Sequence, residues 1–233
     1  MTELARHDPA KAARILKVTR DLVLRHGVRG ISVSEIARPA QIGKGTLYLY
    51  WRTKEELVAE LVARDFLDAA DEYLPGLAAD AERVRPHRMC WAMLQTVLEH
   101  PFARAVQVAD VHTIGLLTER EDTRRLLDLL GPGVLSRDLL EVWRAHGLAR
   151  ADWAFADQAY ALRAFFAGFF SLATGERAEP VADSRAVFEA SVRALLDPPG
   201  EVRADVPAAA AEALDLLTRR QGSVRALLSP VDH

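Results

Sequence analysis

The side chains best suited to binding chemistry lie in one short stretch, residues 32–54. Hydroxyl groups, an ammonium group and small glycines recur there, and no carboxylate occurs between residues 39 and 54. DNA phosphates attract such donors and repel carboxylates, so the stretch favours nucleic-acid binding. The predicted DNA-contacting residues are Ser32, Ser34, Gly43, Lys44, Gly45, Thr46, Tyr48, Tyr50 and Lys54.

Three helices are predicted to position these groups, and the third of them begins at a possible capping box formed by Thr53 and Glu56. Ser32 is followed three residues later by Glu35, the spacing of a capping box that begins a helix. Pro39 should end that helix early, because a proline disfavours helical dihedrals in the residue before it. A turn over residues 41–43 then leads to a second helix over residues 44–50. Helix, tight turn and helix is the arrangement that places a second helix in the major groove of DNA.

Part of this second helix could instead be ordinary core. Leu47, Tyr48, Tyr50 and Trp51 have the apolar character of residues buried inside a small helical bundle. We assign Leu47 and Trp51 to the core on this basis. Lys44, Thr46 and Tyr48 are assigned to DNA.

The segment SEIARPAQIGKGTLYLYWRTKEELV resembles the DNA-binding domain of the TetR family of transcriptional repressors. The resemblance extends upstream to about residue 9 and covers about a fifth of the chain. Gly43 replaces the serine or threonine that usually caps the recognition helix, which costs little because glycine is tolerated there. Pro39 is a second departure, and it should shorten the preceding helix.

Charge is divided unevenly along the chain. Residues 1–52 carry ten Lys/Arg against four acidic residues, a net charge of +6, and the remaining residues carry −9. A basic head on an acidic body directs the head to a polyanion. Cys90 is the single cysteine, which excludes an intramolecular disulfide, and the sequence predicts neither a metal nor a cofactor. With no signal peptide and no apolar run of membrane-spanning length, a cytoplasmic protein is expected.

The sequence predicts an all-α fold, with a three-helix head at 1–52, a larger helical body at 53–198 for ligand binding and dimerisation, and a helical extension at 199–233. A long fourth helix should run from Thr53 to about Leu74 and end at Pro75-Gly76. Body helices are predicted over 89–100, 102–118, 123–130, 134–146, 152–174 and 183–196, with a hinge at 131–133. The helix over 152–174 is apolar around nearly its whole axis, so it must be buried on all sides.

The resemblance implies that the last two body helices form the interface of a symmetric homodimer. The predicted interface residues are Leu162, Phe166, Phe170, Val187, Val192 and Leu195. A two-fold axis would present two recognition helices about 34–36 Å apart to a pseudo-palindromic operator. A monomer with a central buried helix is the alternative.

A small-molecule effector, largely apolar, would bind among the body helices. The side chains that could line its pocket are large or polarisable, although most would be core in any helical body. They are Trp91, Met93, Phe102, His112, Trp143, Phe165 and Phe169. Of these, His112 is the best polar candidate.

The resulting prediction is a ligand-responsive transcriptional regulator, a repressor released from its operator by a small molecule. Two alternatives remain from the residues alone. One is a helical protein that binds DNA without small-molecule control, and the other is a helical enzyme that processes small molecules. His87 and Cys90 are three residues apart, but neither has a third partner or a recognised catalytic motif, so we expect no enzymatic activity.

Overall fold

The computed structural model describes residues 8–107, 129, 134–175, 181–200 and 202–228. Within these ranges the regular structure is entirely helical, as predicted, with a small N-terminal head and a larger body. The head comprises α1 (Pro9–His26), α2 (Val33–Ala37) and α3 (Lys44–Tyr50). None of the described helices is long and apolar enough to cross a membrane.

The head helices begin and end where local chemistry requires. The Asp8 side chain accepts hydrogen bonds from the amides of Ala10 and Lys11 at the start of α1, and Pro9 occupies the first helical position. Gly27 ends α1 with a φ of 69°, a left-handed conformation that glycine adopts at little cost. The capping box predicted for α2 is confirmed, with both reciprocal hydrogen bonds between Ser32 and Glu35.

The turn between α2 and α3 differs from the expectation in one respect. Pro39 follows the end of α2, as predicted, but the left-handed residue of the turn is Gln41, with a φ of 54°. Gly43 has an extended φ of −74°, and as the N-cap of α3 it supplies no side-chain acceptor. Gly43 therefore leaves the first amides of α3 without a side-chain hydrogen-bond acceptor. The left-handed backbone conformation of the turn belongs to Gln41.

The fourth helix, α4 (Lys54–Ala79), is longer than predicted. Thr53 caps it by accepting a hydrogen bond from the Glu56 amide at 3.1 Å. Pro75 lies inside the helix, where it removes one hydrogen bond without ending the helix. The turn beyond it is held because Leu77 is buried in the body core, together with Val84 of a short 3-10 helix (Ala81–Val84).

The rest of the described body consists of six helices. They are α5 (Pro86–Glu99), α6 (Pro101–Gln107), α7 (Val134–Ala145), α8 (Phe155–Thr174), α9 (Ser184–Leu196) and α10 (Val206–Leu228). Of the helix predicted over 102–118, only residues 102–107 are described, and they belong to α6. Apart from Leu129, the helix predicted over 123–130 and the hinge at 131–133 lie outside the described residues. The extension predicted as one or two helical segments forms the single helix α10, which packs along α4 and against the 3-10 helix.

Two hydrophobic clusters form the core, and the first crosses the predicted boundary between head and body. It surrounds Ile15, Ile36 and Leu47 of the head, and it also includes Phe102 of α6 and Val224 of α10. The second cluster lies in the body around Trp143 and Phe188. Head and body are therefore joined by shared packing rather than by a linker alone.

Candidate nucleic-acid interface and body cavity

The second helix of the helix-turn-helix, α3, exposes a narrow face that combines uncharged side chains with one basic side chain. Lys44, Gly45 and Tyr48 are exposed, and Thr46 is half-buried. Leu47, on the opposite face, is completely buried, which holds the short helix against the head core. The helix carries no acidic residue, so nothing on it repels a phosphate.

Sequence reasoning missed one exposed residue of this face. Leu49 is 57% exposed, beside Tyr48 at 51%. An exposed leucine next to a basic recognition helix can contact the methyl group of thymine, which apolar side chains recognise in the major groove. The helical period offers the signal, because Leu49 lies two positions after the buried Leu47 and therefore on the opposite face of the helix.

Tyr50 and Trp51 stabilise the end of α3. The Tyr50 hydroxyl accepts a hydrogen bond of 3.3 Å from the Asp8 amide, at the start of α1. Its ring stacks on Trp51 with the centroids 5.5 Å apart. The Trp51 indole is buried and donates to the Glu60 carboxylate at 2.5 Å. Tyr50, predicted to contact DNA, thus has a structural partner inside the head.

Two more of the predicted DNA-binding residues hold the head together. The Lys54 ammonium donates to the carbonyls of Val28 and Ile31 at 2.8 and 2.9 Å, which fixes the α1–α2 connection. The Ser32 hydroxyl and amide both bond to Glu35, and these hydrogen bonds lower the pKa of that carboxyl. The exposed members of the predicted set are Ser32, Ser34, Gly43, Lys44, Gly45 and Tyr48.

A buried carboxylate connects the head to the body. Asp65 of α4 is 1% exposed, and its Oδ1 accepts a hydrogen bond from the Arg20 guanidinium at 2.9 Å. Its Oδ2 accepts the amides of Phe102 and Ala103 at 2.9 and 3.1 Å, where α6 begins. Free amides at a helix start favour a negative charge. One side chain of α4 therefore ties α1 of the head to α6 of the body.

The body encloses an apolar cavity of about 90 Å³ beside α4. Four helices and Leu129 contribute to its wall, and α4 and α10 supply most of it. The lining residues are Phe66, Leu67, Ala69, Ala70, Tyr73, Leu74, Met93, Thr96, Val97, Leu129, Leu135, Leu217, Arg220 and Gln221.

The residues predicted to bind a ligand are mostly not at this cavity. Met93 lines it. Trp91, Phe165 and Phe169 pack against the buried Phe188, with ring centroids 4.9–5.5 Å apart. Phe102 lies in the first hydrophobic cluster, which joins head and body, and His112 lies outside the described residues.

Trp143, the remaining predicted ligand residue, has its own partner. Its buried indole donates a hydrogen bond of 2.8 Å to the Val84 carbonyl. The side chains that do line the cavity, such as Tyr73 and Arg220, come from α4 and α10. These two helices are far apart in sequence, so no local pattern pointed to them.

The predicted interface residues divide into buried and exposed groups. Leu162 and Val192 are completely buried and Phe170 is 6% exposed, so these three contact the core of their own subunit. Phe166 and Leu195 are half-buried, and Val187 is 47% exposed. Tyr160 and Leu172 of α8, not in the predicted set, are 76% and 57% exposed. The apolar surface left open on α8 and α9 is therefore offset from the predicted one.

The one candidate catalytic pair is chemically inert in this environment. Cys90 is fully buried, and burial raises the pKa of its thiol far above the usual range. Burial, and to a smaller extent the Arg193 charge, lowers the pKa of the buried His87 to about 4. A protonated thiol is a poor nucleophile. Across the described ranges, no group of three or more His, Cys, Asp or Glu residues could hold a metal ion.

The geometry of the head defines a helix-turn-helix DNA-binding protein, and comparison with known proteins agrees. Residues 15–61 match the family model of bacterial regulatory proteins, tetR family. An uncharacterized HTH-type transcriptional regulator of Haemophilus influenzae is 29% identical over 84 residues, which are 34% of this chain and 43% of that protein. The chain thus matches less than half the length of this relative. Residues 15–61 therefore form an N-terminal helix-turn-helix domain of the tetR family type.

Solved structures extend the likeness of the fold to the body. Escherichia coli NemR in its reduced form superposes with a TM-score of 0.57 at 22% identity, over 84% of this chain and all of that one. A protein from Shewanella sp. PV-4 assigned to the tetR family of transcription regulators gives 0.52 at 21% identity, over 80% and 97%. At this level of identity the likeness concerns the fold alone.

Proposed function

We propose that this protein is a ligand-responsive transcriptional repressor that binds a pseudo-palindromic operator as a homodimer and leaves it when a small, largely apolar molecule binds the body. The recognition surface is the exposed part of α3, with Lys44 on a phosphate and Tyr48 and Leu49 on the bases. A basic head, net +6 over residues 1–52, supplies the electrostatic part of the affinity.

The observation that carries the proposal is the position of α4 between the two sites. At the start of α4, the Lys54 ammonium donates hydrogen bonds to two carbonyls of the loop that connects α1 and α2. Midway, Asp65 joins Arg20 of the head to α6. From the next residue on, the apolar side chains between Phe66 and Leu74, together with Tyr73, form a wall of the cavity. A molecule that changes the packing of this wall changes the position of α4, and with it the orientation of the head.

The sign of the response depends on relative affinity. A ligand that binds both arrangements of α4 equally well shifts nothing, however tightly it binds. Release from DNA requires that the ligand prefer the arrangement in which the two heads no longer fit successive major grooves. A cavity of only about 90 Å³ is smaller than the 300–1,000 Å³ typical of ligand pockets, so we infer that the ligand-preferred state is more open.

The exposed apolar surface of α8 and α9 supports a dimer. Leu172 and Val187 are about half exposed, and small residues of the same two helices, such as Ala164, Gly168 and Ala190, are also exposed. Small side chains allow two helices to approach closely, and a two-fold axis would pair this surface with its own copy. The second copy brings a second α3, as an inverted repeat requires.

Selection of bound sequences from random duplex DNA, at physiological salt, tests the proposal. Enrichment of an inverted repeat whose half-sites are one helical turn apart is expected from the purified protein. Equal affinity for random and selected DNA would instead indicate binding without sequence preference, and it would contradict the proposal. Repeating the selection with small-molecule extract of cells tests release, which should reduce the enrichment.

A further inference from the structure

Two of the residues that line the body cavity carry a polar atom that lacks a hydrogen-bond partner. Within the described part of the chain, the Tyr73 hydroxyl and the Arg220 Nε are buried without any hydrogen-bond partner. Both residues line the cavity, Tyr73 from α4 and Arg220 from α10. Buried polar groups are nearly always paired, because an unpaired one loses its bonds to water and gains none.

The charge of Arg220 is already satisfied. Its Nη2 pairs with the Asp138 carboxylate of α7, and its Nη1 donates to the Leu129 carbonyl at 3.1 Å. The buried Nε–H has no partner, and it lies beside an ion pair whose two charges offset each other. An anion here would lie close to Asp138, and a cation would lie close to the guanidinium. The cavity therefore favours an uncharged molecule.

Tyr73 offers a second donor. Burial, with Cys90 adding to it, raises the pKa of the phenol well above its usual range, so the hydroxyl keeps its proton. The remaining wall is almost wholly apolar, with Leu74, Met93 and Leu217 among its side chains. A ligand thus meets two hydrogen-bond donors on an otherwise hydrocarbon surface.

We infer that the cavity takes a small uncharged molecule, mainly hydrocarbon, with an oxygen atom that accepts hydrogen bonds from Tyr73 and Arg220. This inference rests on the proposed function and names the chemical class of its effector. Both donor atoms are buried, so an acceptor reaches them only when α4 and α10 separate. The same hydrogen bonds that hold the ligand therefore favour the displaced position of α4, which gives the ligand its preference between the two states.

Three single-ring probes of similar shape test the class by calorimetric titration of the DNA-free protein: acetophenone, toluene and benzoate. Acetophenone carries the acceptor, toluene lacks it, and benzoate carries a negative charge. We expect acetophenone to bind at least about tenfold more tightly than toluene, and benzoate more weakly than either. Benzoate as the tightest ligand, or toluene equal to acetophenone, would overturn the inference.

Two conservative variants locate the hydrogen bonds. Tyr73→Phe removes the hydroxyl alone, and Arg220→Lys removes Nε while keeping a cation beside Asp138. Each should reduce the advantage of acetophenone over toluene to about threefold or less, while toluene itself binds as before. Arg219→Lys, at the exposed neighbouring arginine of α10 that does not line the cavity, is the matched control for Arg220→Lys and should change nothing. An undiminished advantage in both variants contradicts the assignment.

If Tyr73 had a purely structural role, its substitution would change the thermal midpoint of the protein rather than ligand binding. Because its hydroxyl is unpaired without ligand, Tyr73→Phe should keep or raise the thermal midpoint of the ligand-free protein while losing acceptor binding. A lowered midpoint together with unchanged binding would place the hydroxyl in the fold alone. If no probe binds although the protein selects an inverted repeat, this inference fails and the proposed function stands. If acetophenone binds without weakening operator binding, the proposed release fails and the ligand class stands.

Discussion

Arg20 and Asp65 form an ion pair across the boundary between head and body, with 2.9 Å between Nη1 and Oδ1. Asp65 is 1% exposed, whereas the Arg20 side chain is 37% exposed. The guanidinium also lies 5.6 Å from the centre of the Phe102 ring, whose own amide donates to Asp65. The pair, the ring and the helix start therefore form one junction that any movement of the head relative to α6 must rearrange.

Removing the carboxylate at this junction should destabilise the protein strongly. Asp65→Ala leaves two amides at the start of α6 and one arginine without their partner, so the free energy of unfolding should fall by about 3 kcal/mol. Urea unfolding followed by circular dichroism measures it. Asp68→Ala, an exposed acid one turn further along α4, is the control and should change stability by less than about 0.5 kcal/mol. A loss below about 1 kcal/mol for Asp65→Ala would mean that the junction is not a stabilising element.

Lys44 should act on DNA through charge alone. Lys44→Ala is expected to weaken binding to all sequences and to lower the slope of log affinity against log salt by about 1 for each bound head. Fluorescence anisotropy at several salt concentrations measures both quantities. Arg83→Ala, beyond the far end of α4, removes an equal charge and should leave the slope unchanged. An unchanged slope for Lys44→Ala would remove this lysine from phosphate contact.

Leu172 tests the proposed dimer surface better than Phe166. Phe166 packs against Phe188 with 5.7 Å between centroids, so a charge there would damage the subunit itself. Leu172 is 57% exposed in the single chain, and Leu172→Glu should yield a folded monomer because the charge would be buried at the interface. Sedimentation velocity reports the mass, and Leu227→Glu on α10 serves as the control. A Leu172→Glu protein that remains dimeric would place the interface on another surface.

His87 should make the body sensitive to acid. Its pKa falls from the ordinary 6.5 to about 4 in the folded protein, so between these pH values the unfolded chain binds a proton that the folded protein does not. Stability is therefore full above about pH 6.5 and is lost as the pH falls towards 4, by about 1–2 kcal/mol between pH 7 and pH 5. Urea unfolding at the two pH values should show a smaller loss in His87→Gln. Equal losses in the two proteins would assign the acid sensitivity to other groups.

The head could be predicted well because its signals are local. The Ser32–Glu35 capping box and the stop at Pro39 each depend on residues within a few positions, and both are observed. The same reasoning placed Leu47 and Trp51 in the core, where they are buried. Residue type and helical period suffice for such features.

The predictions that differ from the structure depend on contacts between distant residues. Lys54 is of a residue type that commonly binds phosphate, but its ammonium donates hydrogen bonds to two carbonyls more than twenty positions earlier in the sequence. Pro75 is of a residue type that commonly ends a helix, but α4 continues beyond it because Leu77 is buried in the body core. The sequence predicts Phe102 as a ligand-pocket residue, whereas tertiary packing places it in the first hydrophobic cluster, away from the cavity lining. A single sequence shows residue types without showing which neighbours they meet.

The packing of α10 on the head has a consequence for how the protein is made. Val224 is 1% exposed in the same cluster as Ile15, so the head core is finished by a residue synthesised about two hundred positions later. At about 5–20 residues per second, a ribosome takes about 10–40 s to cover that distance. During this interval the nascent head lacks part of its hydrophobic cover. The head of a newly made molecule therefore completes its hydrophobic core only after α10 has been synthesised and has packed against it.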